Sequence, residues 1–382
     1  MSYHLISFFS VTLFVGLTTT FTISCKNQND ENTLRFTNGV NPIGYSLTKD
    51  SIWDSKTNNL LETNQSCETC HKQIYLNWSK SRHKEAYTNQ LFQTSFKIEP
   101  MDWCLNCHAP LLGEQIKSKE NQLKRIQQED GVSCITCHVR EGKILTGQIP
   151  KLNSLTHNYT KVEMMNESKF CANCHQFSFP TSQSLEKNHS FEYSMVAMQD
   201  TYKEWIKNKS SNKKTCQSCH LSSGKKESHS FPGGHTLKLI SDSFDVSATK
   251  INNNQVLIKI QSIGIDHSFP TGDLFRALRF RVYGPRRVFL KEWIFKKEYT
   301  TNKNPKPNEP TKILVSNTVF ESEELKTLIL QTEFNLDSID YDFFIDYQNG
   351  LNELIHLETV KESRKVFQSG SIPLNQKPSG HG

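Results

Sequence analysis

Residues 67–71 of the chain read CETCH, two cysteines separated by two residues and followed directly by a histidine. The same pattern returns four times, as CLNCH at 104–108, CITCH at 134–138, CANCH at 171–175 and CQSCH at 216–220. We number these motifs one to five in chain order. They contain every one of the chain's 11 cysteines except Cys25. This spacing, more than any hydrophobic pattern, decides what fills the interior of the first half of the protein.

The spacing matches what covalent attachment of haem c requires. Two intervening residues let both thiols reach the two vinyl groups of one porphyrin, and the next histidine then lies under the ring as a ligand of the iron. Zinc sites and redox disulfides also use paired cysteines, but neither needs a histidine after the second cysteine. With only 14 histidines in 382 residues, one after each of the five pairs favours haem. We therefore predict five covalently attached haem c groups with their irons.

Each predicted haem takes two thioether bonds and one proximal imidazole. The predicted thioether anchors are Cys67, Cys70, Cys104, Cys107, Cys134, Cys137, Cys171, Cys174, Cys216 and Cys219, and the predicted proximal ligands are His71, His108, His138, His175 and His220. Six further histidines are candidates for the opposite side of an iron, namely His83, His157, His189, His229, His235 and His267. An iron with two imidazoles carries electrons, whereas an iron with an open position can bind a small molecule.

His83 follows His71 by 12 residues in a stretch, 70–91, that predicts one helix. Because 12 helical residues span about 18 Å, we expect His83 to reach a haem other than that of His71. Two loops also place histidines alike, ESHSFPGGH at 227–235 and DHSFPTGD at 266–273. We predict that both loops hold an imidazole towards a haem, and that His267 thereby joins the second half of the chain to the first.

The segment 67–83, CETCHKQIYLNWSKSRH, resembles the tetrahaem cytochrome c family that accepts electrons from hydroxylamine oxidoreductase. The shared features are Cys67, Cys70, His71, Trp78 and the Ser81-Arg82-His83 triplet. MQDTYKEWIKN at 198–208 is similar to wider multihaem families that include that oxidoreductase and octahaem reductases. The two Phe-Pro loops resemble loops of the same exported proteins, which implies distal ligation by their histidines. No Cys-x-x-Cys-Lys motif occurs, so the resemblance does not extend to the lysine-ligated haem of pentahaem nitrite reductases.

The N-terminus predicts export. Residues 1–24 are apolar and almost uncharged, as in a signal peptide, and the small Ser24 precedes Cys25 as in bacterial lipoproteins. We predict that Cys25 carries a lipid anchor, that 25–60 is a flexible tether, and that the protein is periplasmic or on the cell-envelope side of a membrane. An uncleaved anchor and an ordinary signal peptide are the alternatives.

The predicted fold class is α+β with two domains. Residues 61–236 would form a mainly helical pentahaem cytochrome c domain, in which the porphyrins replace part of an apolar core, since only 35% of residues are hydrophobic. In 237–365 short apolar runs alternate with polar residues, which predicts an immunoglobulin-like β-sandwich. A small irregular sheet is the alternative. Residues 366–382 would be a flexible tail.

These observations predict a protein that transfers electrons through closely packed covalent haems, with redox proteins as donor and acceptor. The net charge is only +6 and no basic block occurs, so we expect no nucleic-acid partner. One alternative is an oxidoreductase that acts on a small nitrogen or sulfur compound, or on peroxide, at one five-coordinate haem. Another is a haem-dependent scaffold. No catalytic residue is predicted.

Overall fold

The computed structural model describes residues 53–54, 59–60, 64–98, 100–101, 104–110, 129–140, 143–148, 159–185, 192–208, 214–221, 229–349 and 363–374. The predicted signal peptide, Cys25, His157 and His189 lie outside these residues, as does most of the predicted tether. Within the described ranges, no helix has the length and apolarity needed to cross a membrane.

Short helices carry the five motifs. The helices are α1 Asn64–Cys70, α2 Lys72–Trp78, α3 Gln90–Ile98, α4 Leu105–His108, α5 Cys134–His138, α6 Lys169–His175, α7 Thr201–Lys207, α8 Cys216–His220 and α9 Leu237–Asp242. Four of them end on the histidine of their motif, so the imidazole stands at the helix terminus, where the backbone changes direction. Single-turn 3₁₀ helices lie at Glu163–Asn166, Gln183–Leu185 and Pro285–Arg287.

The single helix predicted for 70–91 is wrong. Helix α2 ends at Trp78, and residues 79–89 follow as turns before α3 begins. The cause is the segment that precedes the third motif: the Val132 amide donates to the carbonyl of His83 at 2.9 Å, and the Trp78 indole donates to the carbonyl of Val132 at 2.8 Å. The His83 carbonyl therefore accepts from this distant segment as well as from the Ala86 amide in its own turn, at 3.2 Å.

Small sheets complete the first half of the described chain. The strands are β1 Trp53–Asp54, β2 Asn59–Leu60, β3 Val139–Arg140, β4 Lys143–Thr146, β5 Tyr159–Lys161, β6 Phe177–Pro180 and β7 Tyr193–Gln199. Strand β1 pairs with β2, β4 lies between β3 and β5, and β6 pairs with β7. The hairpins that include β3 and β6 start directly after the third and fourth motifs, so each of these two motifs is anchored to a sheet.

The second half consists of antiparallel strands. They are β8 Phe244–Asn252, β9 Gln255–Ser262, β10 Ala277–Tyr283, β11 Phe289–Phe295, β12 Lys297–Thr301, β13 Lys312–Asn317, β14 Leu325–Gln331, β15 Ser338–Asp346 and β16 Arg364–Pro373. One sheet has the order β11-β10-β15-β16, another the order β14-β9-β8, and β12 pairs with β13. The flexible tail predicted for 366–382 is therefore wrong for residues 366–373, which pair with β15. The inner face of β10 carries Leu278, Phe280 and Val282, all fully buried.

The apolar core of the described chain lies in this second half. Its cluster of buried side chains runs from Ile240 to Leu374, and both larger sheets contribute to it, for example Ile258 from β9 and Phe343 from β15. Both antiparallel sheets contribute to this one core, as the layers of a β-sandwich would, while the immunoglobulin-like β-sandwich stays a prediction. In the first half few apolar side chains are buried, which leaves the interior there to other groups.

Polar contacts join the two halves. Glu204 of α7 accepts a hydrogen bond from Thr271 at 2.7 Å and forms an ion pair with Lys297 of β12. The Tyr347 hydroxyl donates to the carbonyl of Gly234 at 2.8 Å, so the first Phe-Pro loop is tied to the end of β15. The loops that carry the predicted distal histidines are thus held by the strands behind them.

Candidate haem sites

One cavity of about 2620 Å³ is lined by all ten motif cysteines and by all nine histidines that the structure describes. A site for one small molecule has roughly 300–1,000 Å³, so this cavity has room for several groups. No disulfide joins these ten cysteines, all of which lie in the described part of the chain. The donor set is therefore the one that covalent haem needs, paired thiols beside imidazoles around a large space. The residues fit haem c.

Three motif histidines each face a second imidazole across this cavity. The pairs are His175 with His83 at 6.2 Å, His138 with His229 at 6.1 Å and His220 with His267 at 6.3 Å between ring centroids. Two stacked imidazoles, or two imidazoles joined by a direct hydrogen bond, would have a shorter distance between their centroids. Two imidazoles that bind one metal ion from opposite sides stand roughly 6 Å apart, since each metal–nitrogen bond is about 2 Å long. The three spacings are those of two-histidine ligation.

Backbone carbonyls orient several of these rings. Nδ1 of His138 lies 2.8 Å from the carbonyl of Leu145, and Nδ1 of His220 lies 2.6 Å from that of Pro232. Nδ1 of His267 and of His108 make the same kind of contact, at 2.8 and 2.6 Å. A hydrogen bond from Nδ1–H fixes the tautomer and leaves Nε2 as the metal ligand. The backbone thus presents these four imidazoles in the form that binds iron.

Burial keeps the paired imidazoles neutral. Desolvation, with the neighbouring His175, His220 and His229, lowers the pKa of His83 to about 3. Desolvation, with nearby histidines and Arg276, likewise lowers the pKa of His175 to about 4. Because a metal binds the unprotonated nitrogen, these rings are ready to coordinate at neutral pH.

Thiols of different motifs meet inside the cavity. Cys67 and Cys134, Cys107 and Cys174, and Cys171 and Cys216 lie close enough to interact. These interactions, together with burial, raise the pKa of Cys171 and Cys174 well above the ordinary value. The contacts place the first motif beside the third, the second beside the fourth, and the fourth beside the fifth. Cys137 lies near enough to Cys171 to influence its pKa, which connects the third motif to the fourth.

The two Phe-Pro loops meet at Arg276. This guanidinium donates to the Thr271 carbonyl in the second loop at 3.0 Å, and in the first loop it lies so close to Gly234 that a Cβ there would stand 2.8 Å from Nη1. The first loop is strained, with φ values of 73° at His229 and 48° at Phe231. Such left-handed residues cost about 1–3 kcal/mol each and persist only where the surroundings impose them.

The remaining predicted ligands have other surroundings. His71 begins α2 and is exposed. His108 stacks on Phe92 at 3.8 Å between centroids, and His235 stacks on Tyr347 at 4.2 Å. His235 therefore packs against an aromatic ring and does not face a motif histidine in the described part of the chain. Its role as an iron ligand stays a prediction.

Sequence reasoning missed three residues that position the ligands. Arg276 joins the two loops, Phe92 supports His108, and Gly131 allows the approach of the His83 carbonyl, which would stand 2.5 Å from a Cβ at that position. Only Gly131 gave a signal that could have been used, since a glycine shortly before a motif indicates close backbone contact. Arg276 and Phe92 could not be found without the fold.

Comparison with known proteins agrees with this site. Residues 66–139 match the family model described as cytochrome c554 and c-prime, a segment that contains the first three motifs. No curated protein matches the chain. Among solved structures, a penta-heme cytochrome c552 from Thermochromatium tepidum is similar in fold, with a TM-score of 0.64 and 18% identity over 82% of this chain and 99% of that one.

The matches and the motifs support a multihaem c-type cytochrome. Covalently bound haem c is therefore the cofactor that the cavity is built to hold. The family model ends at residue 139, before the fourth and fifth motifs and the strands. At 18% identity the solved structure shows the fold alone.

Proposed function

We propose that the chain is an exported pentahaem c-type cytochrome that transfers electrons between redox proteins. The observation that carries the proposal is the set of three facing histidine pairs at 6.1 to 6.3 Å. Each bound haem would supply one-electron exchange between ferric and ferrous iron. An imidazole on both faces stabilises either oxidation state without leaving a position for substrate. The protein's contribution is thus to hold ligands and to exclude water.

The neighbouring cysteines support an order for the electron path. Contacts between motifs connect the first to the third, the third to the fourth, and the fourth to both the second and the fifth. In the motifs at two ends of this series, Cys70 and Cys219 are exposed, whereas the other eight motif cysteines are partly covered. An entry and an exit for electrons at the first and fifth motifs would fit these exposures.

The remaining parts of the proposal rest on the sequence. Covalent haem attachment and the apolar N-terminus favour the periplasmic or cell-envelope side, with a lipid on Cys25 as the membrane anchor. A mainly helical haem domain followed by an immunoglobulin-like sandwich is the proposed architecture, and the two Phe-Pro loops would connect its parts. Donor and acceptor proteins are the proposed partners.

The proposal is tested by counting haems and their spin states in the purified protein. Intact-mass spectrometry and the pyridine haemochrome assay should give five covalent haems, and EPR should give low-spin ferric iron at the three paired sites. Fewer than five haems would contradict the pentahaem assignment. A high-spin signal that shifts on addition of nitrite or cyanide would favour the alternative, an oxidoreductase with one open iron.

A further inference from the structure

Lysines surround the fifth motif. Between residues 203 and 226 the chain has seven lysines, at 203, 207, 209, 213, 214, 225 and 226, and one acidic residue, Glu204. Outside this stretch the chain has 38 basic and 38 acidic residues, so this run is unusual within it. A run of like charge is most often only a solvated surface. Its placement in the fold decides whether it is more than that.

In the part of the chain that the structure describes, three of these lysines point outward and the carboxylate points inward. Lys203, Lys207 and Lys214 are exposed, whereas Glu204 is 8% exposed and its charge is taken up by the ion pair with Lys297. The indole of Trp205 donates to the Lys214 carbonyl at 2.9 Å, which ties the lysine-bearing helix α7 to the start of the fifth motif. Lys203 and Lys207, four residues apart, lie on the same side of α7, and Lys214 lies next to this helix.

This lysine face, defined by Lys203, Lys207 and Lys214, also contains apolar and redox-active groups. Ile206 is 46% exposed between two of the lysines. Cys219 of the fifth motif is exposed, unlike eight of the ten motif cysteines. An exposed apolar side chain flanked by like charges, on a helix that is hydrogen-bonded to the start of a motif with an exposed cysteine, has the form of a transient docking surface, in which charge guides the approach and a small dry contact holds it.

The first motif has a more mixed charge. Lys72 and Lys80 are exposed there, but Arg82 pairs with Glu85 at 2.8 Å and Lys84 with Asp130 at 3.4 Å. Near the fifth motif one exposed carboxylate, Glu167, lies close enough to raise the pKa of Tyr202, after burial and Cys216. One carboxylate does not neutralise the lysine face.

We propose that the lysine face is the docking surface for an acidic redox protein that exchanges one electron at the fifth motif. The proposal rests on the proposed electron-transfer function and adds to it the place and the charge of one partner. In the exchange the donor loses one electron and the acceptor gains it, with no proton or group transferred. Complementary charge would make association fast and salt-dependent, because steering by exposed charges is screened beyond about 8–10 Å at physiological salt.

The test measures binding of an acidic flavodoxin, in its oxidised state, to the haem-loaded protein by calorimetry at low and high salt. The variant is Lys203→Glu/Lys207→Glu/Lys214→Glu, and the matched control, with the same change in net charge, is Lys259→Glu/Lys303→Glu/Lys365→Glu at exposed positions on strands or loops of the second half. At low salt we expect the first variant to raise the Kd on the order of tenfold or more, and the control variant to raise it by less than about threefold.

Equal losses in both variants, or no flavodoxin binding by the wild type at low salt, would overturn the docking surface. Reduction of the wild type by dithionite provides the separate measurement of the electron-transfer function, since dithionite needs no docked protein. If dithionite reduces all haems but the two variants bind alike, the carrier function stands and the docking proposal fails. If haems stay oxidised in the wild type, the proposed function itself fails.

Discussion

Replacing His267 with alanine provides the sharpest test of how the two halves of the chain cooperate. His267 faces His220 at 6.3 Å, and its Nδ1 is held by the Ser268 carbonyl at 2.8 Å. The loop itself is fixed by other contacts. Phe269 and Phe320 exchange two backbone hydrogen bonds at 2.7 and 2.8 Å, and Thr271 donates to Glu204. We therefore expect His267→Ala to fold and to lose one iron ligand only.

The magnitude follows from the number of sites. With five haems, loss of one axial imidazole should convert one-fifth of the ferric iron from low-spin to high-spin, and the four other sites should keep their spectra. The assay is quantitative EPR of the oxidised protein, with the pyridine haemochrome assay to show that the haem count is unchanged. Added imidazole should restore the low-spin signal, because the cavity left by the side chain has the size and the polarity of the lost ring.

The matched control is His235→Ala. His235 belongs to the other Phe-Pro loop but stacks on Tyr347 instead of facing a motif histidine, so its removal should leave all spin states unchanged. The reasoning would be refuted by a fully low-spin His267→Ala protein. It would also be refuted if His235→Ala produced the high-spin signal, since the ring spacing would then have failed to identify ligands.

Three further changes test the supports of the site. Gly131→Ala should lower the Tm more than Gly264→Ala does, because both have positive φ, at a cost of about 1–2 kcal/mol, but only at Gly131 would the Cβ meet a carbonyl, at 2.5 Å. Glu204→Gln should lower the free energy of unfolding by about 1–3 kcal/mol in denaturant titrations, since it leaves the Lys297 ammonium without its counter-charge. Burial and nearby guanidiniums lower the pKa of His235 to about 3. As pH falls from 6.5 towards 3, this imidazole is therefore protonated in the unfolded chain but stays neutral in the folded chain, which favours unfolding. Between pH 7 and pH 5 the free energy of unfolding of the wild type should therefore fall by up to about 1.4 kcal/mol per pH unit more than that of His235→Asn. Denaturant titrations at the two pH values check this, and equal changes in both proteins would contradict it.

The cysteine pattern could be read from the sequence because covalent attachment demands adjacent residues. The two thioether bonds and the proximal ligand need five consecutive positions, so all the residues of each motif can be recognised in the sequence alone. The distal ligands have no such local rule. His83 lies 92 residues before His175 and His267 lies 47 residues after His220, and neither separation has a period that a pattern could reveal. Only the fold brings these rings to opposite sides of one space.

The second half of the chain shows a similar division. Alternation in RALRFRV indicates which side of β10 is buried, because side chains alternate strictly along a strand. The helix predicted through 70–91 ends at Trp78, where Val132, distant in sequence, accepts from the Trp78 indole and donates to the His83 carbonyl. Local sequence preference predicts a helix where its backbone groups find their hydrogen-bond partners within the same segment. It fails where a distant backbone segment competes for the same hydrogen-bonding groups.

Arg276 shows why the strands belong to the haem site and are not an independent appendage. Its guanidinium lies between the two Phe-Pro loops, bonded to the Thr271 carbonyl in one and packed against Gly234 in the other. One loop presents His229 to the third motif, and the other presents His267 to the fifth. A shift of either loop would therefore move ligands of two different motifs together. Because the strands on either side fix these loops, they set where the two imidazoles stand, and a chain cut before residue 266 would lack His267, a proposed iron ligand, and Arg276, which aligns the loop that carries the other proposed ligand.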